Sequence, residues 1–251
     1  MSLELGLDGQ VALITGGVRG VGLGITRQFV AAGAHVVTCA RSEADPIPGT
    51  THIQCDVRDP EAVAAMIEQI TSTHGHLDVL VNNAGGAPFA MAADASPNFH
   101  DKITGLNLLS PLLLMQAANR VMQAQESGGA IVNISSVSAI RPSPGTAAYG
   151  AAKAGLDSLT RTLAVEWAPR VRVNAINVGL VRTEQTDLHY GGEEGVAAIN
   201  KTIPLGRLAR PEEIGAVSAF LASDLASYVS GSTIECHGGG ERPAFLTALE
   251  N

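Results

Sequence analysis

Short apolar runs alternate along the chain with longer amphipathic ones. Residues 10–15, 35–40, 51–57, 77–82, 130–135, 172–178 and 232–236 each read as a strand, and most of these runs are nearly continuously apolar. Between them lie stretches with helical periodicity at residues 21–32, 60–73, 98–124, 149–167 and 211–222. Asp59-Pro60-Glu61 carries the signature of a helix start: an N-cap acceptor, a proline at the first position and a carboxylate in the first turn. Strands covered on both faces lose the polar–apolar alternation. The pattern therefore predicts an α/β fold, a doubly wound and mostly parallel sheet with helices on both faces. Ligands of such sheets sit beyond the carboxyl ends of the strands, so the residues just after each strand are the ones to inspect. Residues 180–204 follow the sixth strand, are largely polar and contain Gly191, Gly192 and Gly195. They are expected to form a mobile lid over that edge.

The 251 residues are 45% hydrophobic, enough for one large core, and no Pro/Gly/Ser-rich linker divides them. A single domain over residues 1–251 is expected. Charged residues make up only 16%, which points to surface buried against other copies of the chain. The net charge of −8 argues against nucleic acid or an anionic membrane as the main partner. The apolar run at residues 106–118 is too short to span a bilayer. Cys39, Cys55 and Cys236 have neither metal spacing nor a disulfide framework, and free thiols fit a reducing, cytoplasmic setting. No basic segment followed by an apolar one marks residues 1–10 as a secretory leader. His74 and His76 sit at a helix end with no third ligand nearby, so they are read as solvated surface and no metal is expected.

The first strand runs into Thr15-Gly16-Gly17-Val18-Arg19-Gly20-Val21-Gly22 at the start of a helix. Glycines at such a junction allow a tight turn and a close approach to a pyrophosphate, and the helix N-terminus offers unpaired N–H groups. The spacing is neither Gly-x-Gly-x-x-Gly nor a Walker loop. At the end of the second strand an acidic residue would bind ribose hydroxyls, whereas an arginine would accommodate a 2′-phosphate. Here Ala40-Arg41 stands at that place, and Arg19 adds a second cation. NADP(H) is therefore the expected cofactor, with NAD(H) the second option. Asp56, read as the end of the third strand, is placed to accept from the adenine amino group, with Val57 alongside.

Tyr149 and Lys153 are four apart at a helix start and share one face. Ser136 follows the fifth strand at the same edge. Reducing a carbonyl needs hydride at carbon and a proton at oxygen. A phenol with its ordinary pKa of about 10 exchanges protons poorly near neutrality. An adjacent ammonium lowers that value by favouring phenolate, and the Ser136 hydroxyl can hold the carbonyl oxygen.

With these residues in place the chain resembles the short-chain dehydrogenase/reductase family over roughly residues 9–240. The resemblance rests on Thr15-Gly16-x-x-x-Gly20-x-Gly22, Asn82-Asn83-Ala84-Gly85, Asn107 in the long helix, Ser136 after Asn133-Ile134-Ser135, and Tyr149-x-x-x-Lys153. It implies a Rossmann-like fold with Tyr149 as general acid in reduction and base in oxidation. Lys153 would lower its pKa and hold the nicotinamide ribose. Ser136 would position the substrate oxygen, and Asn107 would hold a water that links Lys153 to solvent. Asn83, Ala84 and Gly85 would lie beside the cofactor, and Thr183 and the Val181 backbone would meet the carboxamide. A homotetramer or homodimer is implied through the helices near residues 98–124 and 149–167. Two departures stand out. Val178-Gly179 replaces the family's Pro-Gly, and His237-Gly238-Gly239-Gly240 replaces its Asp-Gly-Gly.

The expected activity is hydride transfer between NADP(H) and a carbonyl or secondary alcohol. A non-catalytic nucleotide sensor would be expected to lack the proton donor. A serine hydrolase using Ser136 would need a Gly-x-Ser-x-Gly elbow, which is missing. Phe89, Met91, Ile140, Leu188 and Tyr190 are the expected shapers of an apolar or medium-sized substrate pocket.

Overall fold

The computed structural model describes residues 5–186 and 191–247. β1 (Val11–Thr15), β2 (His35–Ala40), β3 (Thr50–Gln54), β4 (Val79–Asn82), β5 (Gly129–Ser136), β6 (Val171–Val178) and β7 (Thr233–Cys236) form one sheet in the order β3-β2-β1-β4-β5-β6-β7. Every neighbouring pair is parallel. The chain reverses its direction of winding between β1 and β4, which places the switch point beside the glycine turn.

The two faces are covered by different helices. Val11 and Leu13 of β1 face a core shared with Met66 of α2 (Pro60–His74), Leu114 of α4 (Ser110–Ala124) and Leu156 of α5 (Ala147–Glu166). Ala12 and Ile14 face the other core, against Phe29 of α1 (Gly20–Ala31) and Ile214 of α7 (Pro211–Ala222). This alternation on a strand that looks uniformly apolar is the two-residue pleat at work. Each of these buried side chains except the small Ala12 contributes about 1.5–3 kcal/mol.

Local chemistry sets the helix ends. Asp59 accepts from the N–H groups of Glu61 and Ala62 at 2.9 and 3.3 Å, with Pro60 at the first helical position. Glu213 reaches back to the Arg210 N–H at 2.7 Å and takes both Arg207 guanidinium nitrogens at 2.7 Å. The Arg207 fork is the main reason its carboxyl falls to about 2.

Three elements depart from the expectation. β3 ends at Gln54, not at residue 57, because Asp56 turns the chain by accepting from the Arg58 backbone N–H at 3.1 Å. Ser136 is the last residue of β5, paired with Val178, and does not follow the strand. The single long helix expected at residues 98–124 is α3 (Pro97–Thr104), a π turn (Gly105–Leu109) and α4. Inside it, Asn107 donates to the Ile103 carbonyl at 2.9 Å and Ser110 to the Gly105 carbonyl at 3.0 Å. These side chains compete with the backbone ladder and widen the turn.

Of the expected lid, residues 187–190, including Leu188 and Tyr190, lie outside the described residues. The rest is mostly exposed. α6 (Gly192–Thr202) buries Val196 in a small cluster with Ile203 and Leu208. No helix among the described residues is long and apolar enough to cross a membrane.

Candidate active site

A cleft of about 1510 Å³ opens beyond the carboxyl ends of the strands. Of the cofactor and catalytic residues singled out in the sequence, only Asn107 does not line it; of the expected substrate-pocket shapers, Phe89, Met91 and Ile140 do not line it either, Phe89 and Met91 being exposed. The glycine turn, Arg41, Asp56, Val57, Asn83, Ala84, Gly85, Ser136, Tyr149, Lys153, Gly179, Val181 and Thr183 all do. Two sequence features shape the turn. Gly16 has φ +64°, which side chains rarely adopt, and a Cβ on Gly22 would stand 2.1 Å from the Gly16 carbonyl oxygen. The turn is thus drawn against the first residues of α1, and its backbone lies open to the cleft.

The Asn83 side chain has a structural task. It donates to the carbonyls of Thr15 and Gly16 at 2.9 and 3.2 Å, while Thr15 Oγ1 accepts from the N–H groups of Asn83 and Ala84 at 3.0 Å. The end of β4 and the glycine turn are therefore locked together. Val57 lines the cleft, but its side chain is buried in the α2 core.

At the far end Asp56 is not free. Arg58 clamps it through Nε and Nη2 at 2.9 and 2.6 Å, which holds the carboxyl at about 2. The charge of Arg41 adds to this lowering. The side chains of Arg19 and Arg41 make no hydrogen bond among the described residues, and both residues are exposed. Arg58 and Ser42, which also line the cleft, escaped the sequence reading. The Asp-x-Arg spacing at residues 56–58 could have flagged the first.

At the other end α5 places Tyr149 and Lys153 one turn apart, with Lys153 Nζ 5.7 Å from the Tyr149 ring centroid. The net shift of the phenol is upward, where the adjacent ammonium alone would lower it. Burial pushes Tyr149 above its ordinary value, and a hydrogen bond with Ser136 opposes this only in part. Lys153 is itself 3% exposed and donates a hydrogen bond to the Ile134 carbonyl at 2.7 Å. Burial brings its pKa down to about 8, while Asp157, one turn further along α5, raises it. Asp157 is a second residue the sequence reading missed. It is buried, it interacts with Ser135 and Asn177, and its Oδ1 has no partner. Ser136 Oγ accepts from the Ser138 N–H at 3.1 Å, which leaves its own hydrogen to donate.

Asn107 stands behind this group. Its Oδ1 accepts from the Gly86 N–H and its Nδ2 donates to the Gly86 carbonyl, both at 2.9 Å. With Ile103 also bound, both amide hydrogens are engaged, so the side chain has no donor left for the water implied by the resemblance. A Cβ on Gly85 would lie 2.7 Å from Asn107 Oδ1 and 3.5 Å from Lys153 Nζ, so both groups converge on Gly85.

Beyond β6, Val181 bridges to Ala209 through the neighbouring Leu180 carbonyl and Arg182 N–H. That register turns Val181's own amide to the opposite side. Thr183 approaches the glycine turn, where a Cβ on Gly20 would lie 3.6 Å from its methyl. The two departures from the family pattern meet in space. Gly179 donates to the Cys236 carbonyl at 3.0 Å, and a Cβ on it would lie 2.7 Å from His237 Cα. His76, read as solvated, has a side chain 40% exposed and also contacts Asp78 at 2.6 Å. Among the described residues no group of His, Cys, Asp and Glu could hold a metal ion.

Comparisons with known proteins agree on one family. A family model described as enoyl-(acyl carrier protein) reductase matches residues 16–241. The human dehydrogenase/reductase SDR family member 4 is 33% identical over 245 residues, covering 93% of this chain and 88% of the relative. D-threitol dehydrogenase of Mycolicibacterium smegmatis is 35% identical and covers 95% of each. Among solved structures, aldohexose dehydrogenase of Thermoplasma acidophilum superposes with a TM-score of 0.89 at 29% identity, covering 94% of this chain and 95% of that one. The sheet order, the glycine turn and these matches lead to one conclusion: the chain belongs to the short-chain dehydrogenase/reductase family.

Proposed function

We propose that the protein is an NADP(H)-dependent oxidoreductase that interconverts a carbonyl compound and its secondary alcohol, with Tyr149 as general acid and base. The observation that carries this reading is the convergence of Ser136, Tyr149 and Lys153 on the cleft that begins at the glycine turn. A dinucleotide fits the residues present. The cleft offers the positive-φ turn at Gly16 for a pyrophosphate and two arginines at the adenosine end. Arg41 and Arg19 support NADP(H), because among the described residues their guanidinium groups have no hydrogen-bond partner whereas Arg58 is occupied by Asp56.

When bound, the reduced nicotinamide supplies hydride to the carbonyl carbon. The chain's own residues handle the oxygen. Ser136 donates a hydrogen bond to it, strengthened by the N–H it accepts from Ser138. Tyr149 gives up its phenolic proton. Burial keeps that proton in place through neutrality, which suits an acid in the reductive direction. Lys153, still largely charged at neutrality, favours the phenolate left behind, and the buried Asp157 favours the charged amine.

The relatives' names include a threitol dehydrogenase, an aldohexose dehydrogenase and a probable dienoyl-CoA reductase, so they support an oxidoreductase and no particular substrate; the two dehydrogenases favour the carbonyl/alcohol pair. Leu109 and Val165, 57% and 80% exposed beside α4 and on α5, support assembly into a dimer or tetramer. The test is loss of NADPH absorbance with a panel of carbonyl compounds. Turnover is expected. Tight dinucleotide binding with no turnover of any carbonyl compound would favour a sensor instead.

A further inference from the structure

The cleft that holds the glycine turn also holds a carboxylate beside it. α1 starts at Gly20 with no acidic residue in its first turn and no side chain capping it. Such a helix start favours negative charge. The carboxylate that comes near it belongs to a distant segment of the chain. A Cβ on Gly20 would lie 3.6 Å from the Thr183 methyl and 3.9 Å from Glu184 Oε1. Glu184 lines the cleft, is exposed, and makes no hydrogen bond or ion pair among the described residues. A tight turn sets its place. The buried Thr186 donates its N–H to the Thr183 carbonyl at 3.0 Å, and its Oγ1 accepts from the Thr183 N–H at 2.7 Å. The other acids that line the cleft, Glu43, Asp45 and Asp56, follow β2 and β3 at the adenosine end.

We propose that Glu184 is a cofactor-exchange residue: its carboxylate stands against the dinucleotide's pyrophosphate and shortens the time the dinucleotide stays bound. The inference rests on the dinucleotide-dependent reading above and adds to it a residue that works against affinity. An oxidoreductase must release its spent dinucleotide after each turnover. The backbone of the glycine turn and the arginines at the adenosine end all favour the anion, and Glu184 opposes them at the turn itself. Two like charges a few ångströms apart in a water-filled cleft repel each other, and salt screens that repulsion. NADP(H) and NAD(H) carry the same pyrophosphate, so the effect is equal for both. It is thereby separate from the contribution of Arg41, which tells the two apart.

The test is stopped-flow measurement of NADPH and NADH binding to the parent and to Glu184→Gln, at low and at high ionic strength. Loss of the charge is expected to tighten both dinucleotides by the same factor, roughly fivefold or more at low ionic strength, with slower dissociation. Salt is expected to shrink that factor. Glu184→Asp, which keeps the charge, is expected to stay closer to the parent than Glu184→Gln does. A titration with 2′-AMP, which carries the adenosine-end phosphate but no pyrophosphate, should give the same affinity for the parent and for Glu184→Gln. Dinucleotide binding that is unchanged or weaker in Glu184→Gln overturns the proposal. So does a Glu184→Asp variant that matches Glu184→Gln, or 2′-AMP binding that tightens as much as NADPH binding. A parent that binds neither dinucleotide overturns instead the cofactor reading on which the proposal depends.

Discussion

Lys153 directs its ammonium at the backbone carbonyl of Ile134, 2.7 Å away, while the Tyr149 ring centroid lies 5.7 Å from the same nitrogen. The amine is thus anchored to the strand that carries Ser136 and acts on the phenol through space. Its pKa of about 8 and the raised phenol pKa separate the two titrations. A depressed lysine is charged below about pH 8 and neutral above it. For the reductive reaction kcat/KM is therefore expected to hold a plateau at neutrality and to fall as pH rises through about 8. Lys153→Met should remove that inflection and lower kcat by roughly 10²–10⁴-fold. A pH–rate profile of parent and variant checks both.

Asn107 makes three side-chain hydrogen bonds, two of them to the backbone of Gly86. Asn107→Ala strands the Gly86 amide and carbonyl and is expected to cost about 1–3 kcal/mol, read from urea unfolding. It should also lower kcat, because the same contacts fix Gly85 beside Lys153.

Gly22→Ala places a methyl group about where the Gly16 carbonyl stands, at 2.1 Å. Displacement of the turn is expected to weaken NADPH binding by at least roughly tenfold and to lower Tm, because the turn's backbone is the pyrophosphate cradle. Fluorescence titration and thermal unfolding measure the two effects.

Arg41→Ala separates the cofactors. NADPH affinity is expected to fall by roughly tenfold or more, the scale of one charge-assisted pair, while NADH affinity changes little. Equal affinities for the two dinucleotides in the parent would refute the NADP(H) preference.

The order of strands and helices was legible because a sheet buried on both faces leaves unbroken apolar runs, as at residues 35–40, where β2 spans His35–Ala40. Tyr149, Lys153 and Ser136 were legible as chemistry joined to spacing. Side-chain competition with the backbone was not. The π turn at Asn107, the Asp56–Arg58 clamp that shortens β3, and the Asn83 lock on the glycine turn all depend on which partner a polar group finds in three dimensions. The sign of the Tyr149 shift was hidden for the same reason, since a spacing of four residues says nothing of burial. Asp157 shares the face of Lys153, but only its burial gives the carboxylate influence on the amine.

The direct measurement is single-turnover oxidation of bound NADPH by a carbonyl substrate in the parent and in Tyr149→Phe. The variant is expected to bind NADPH within about twofold of the parent and to lose roughly 10²–10⁴-fold in the hydride-transfer rate, the share contributed by a positioned proton donor. An undiminished rate in Tyr149→Phe would contradict the account.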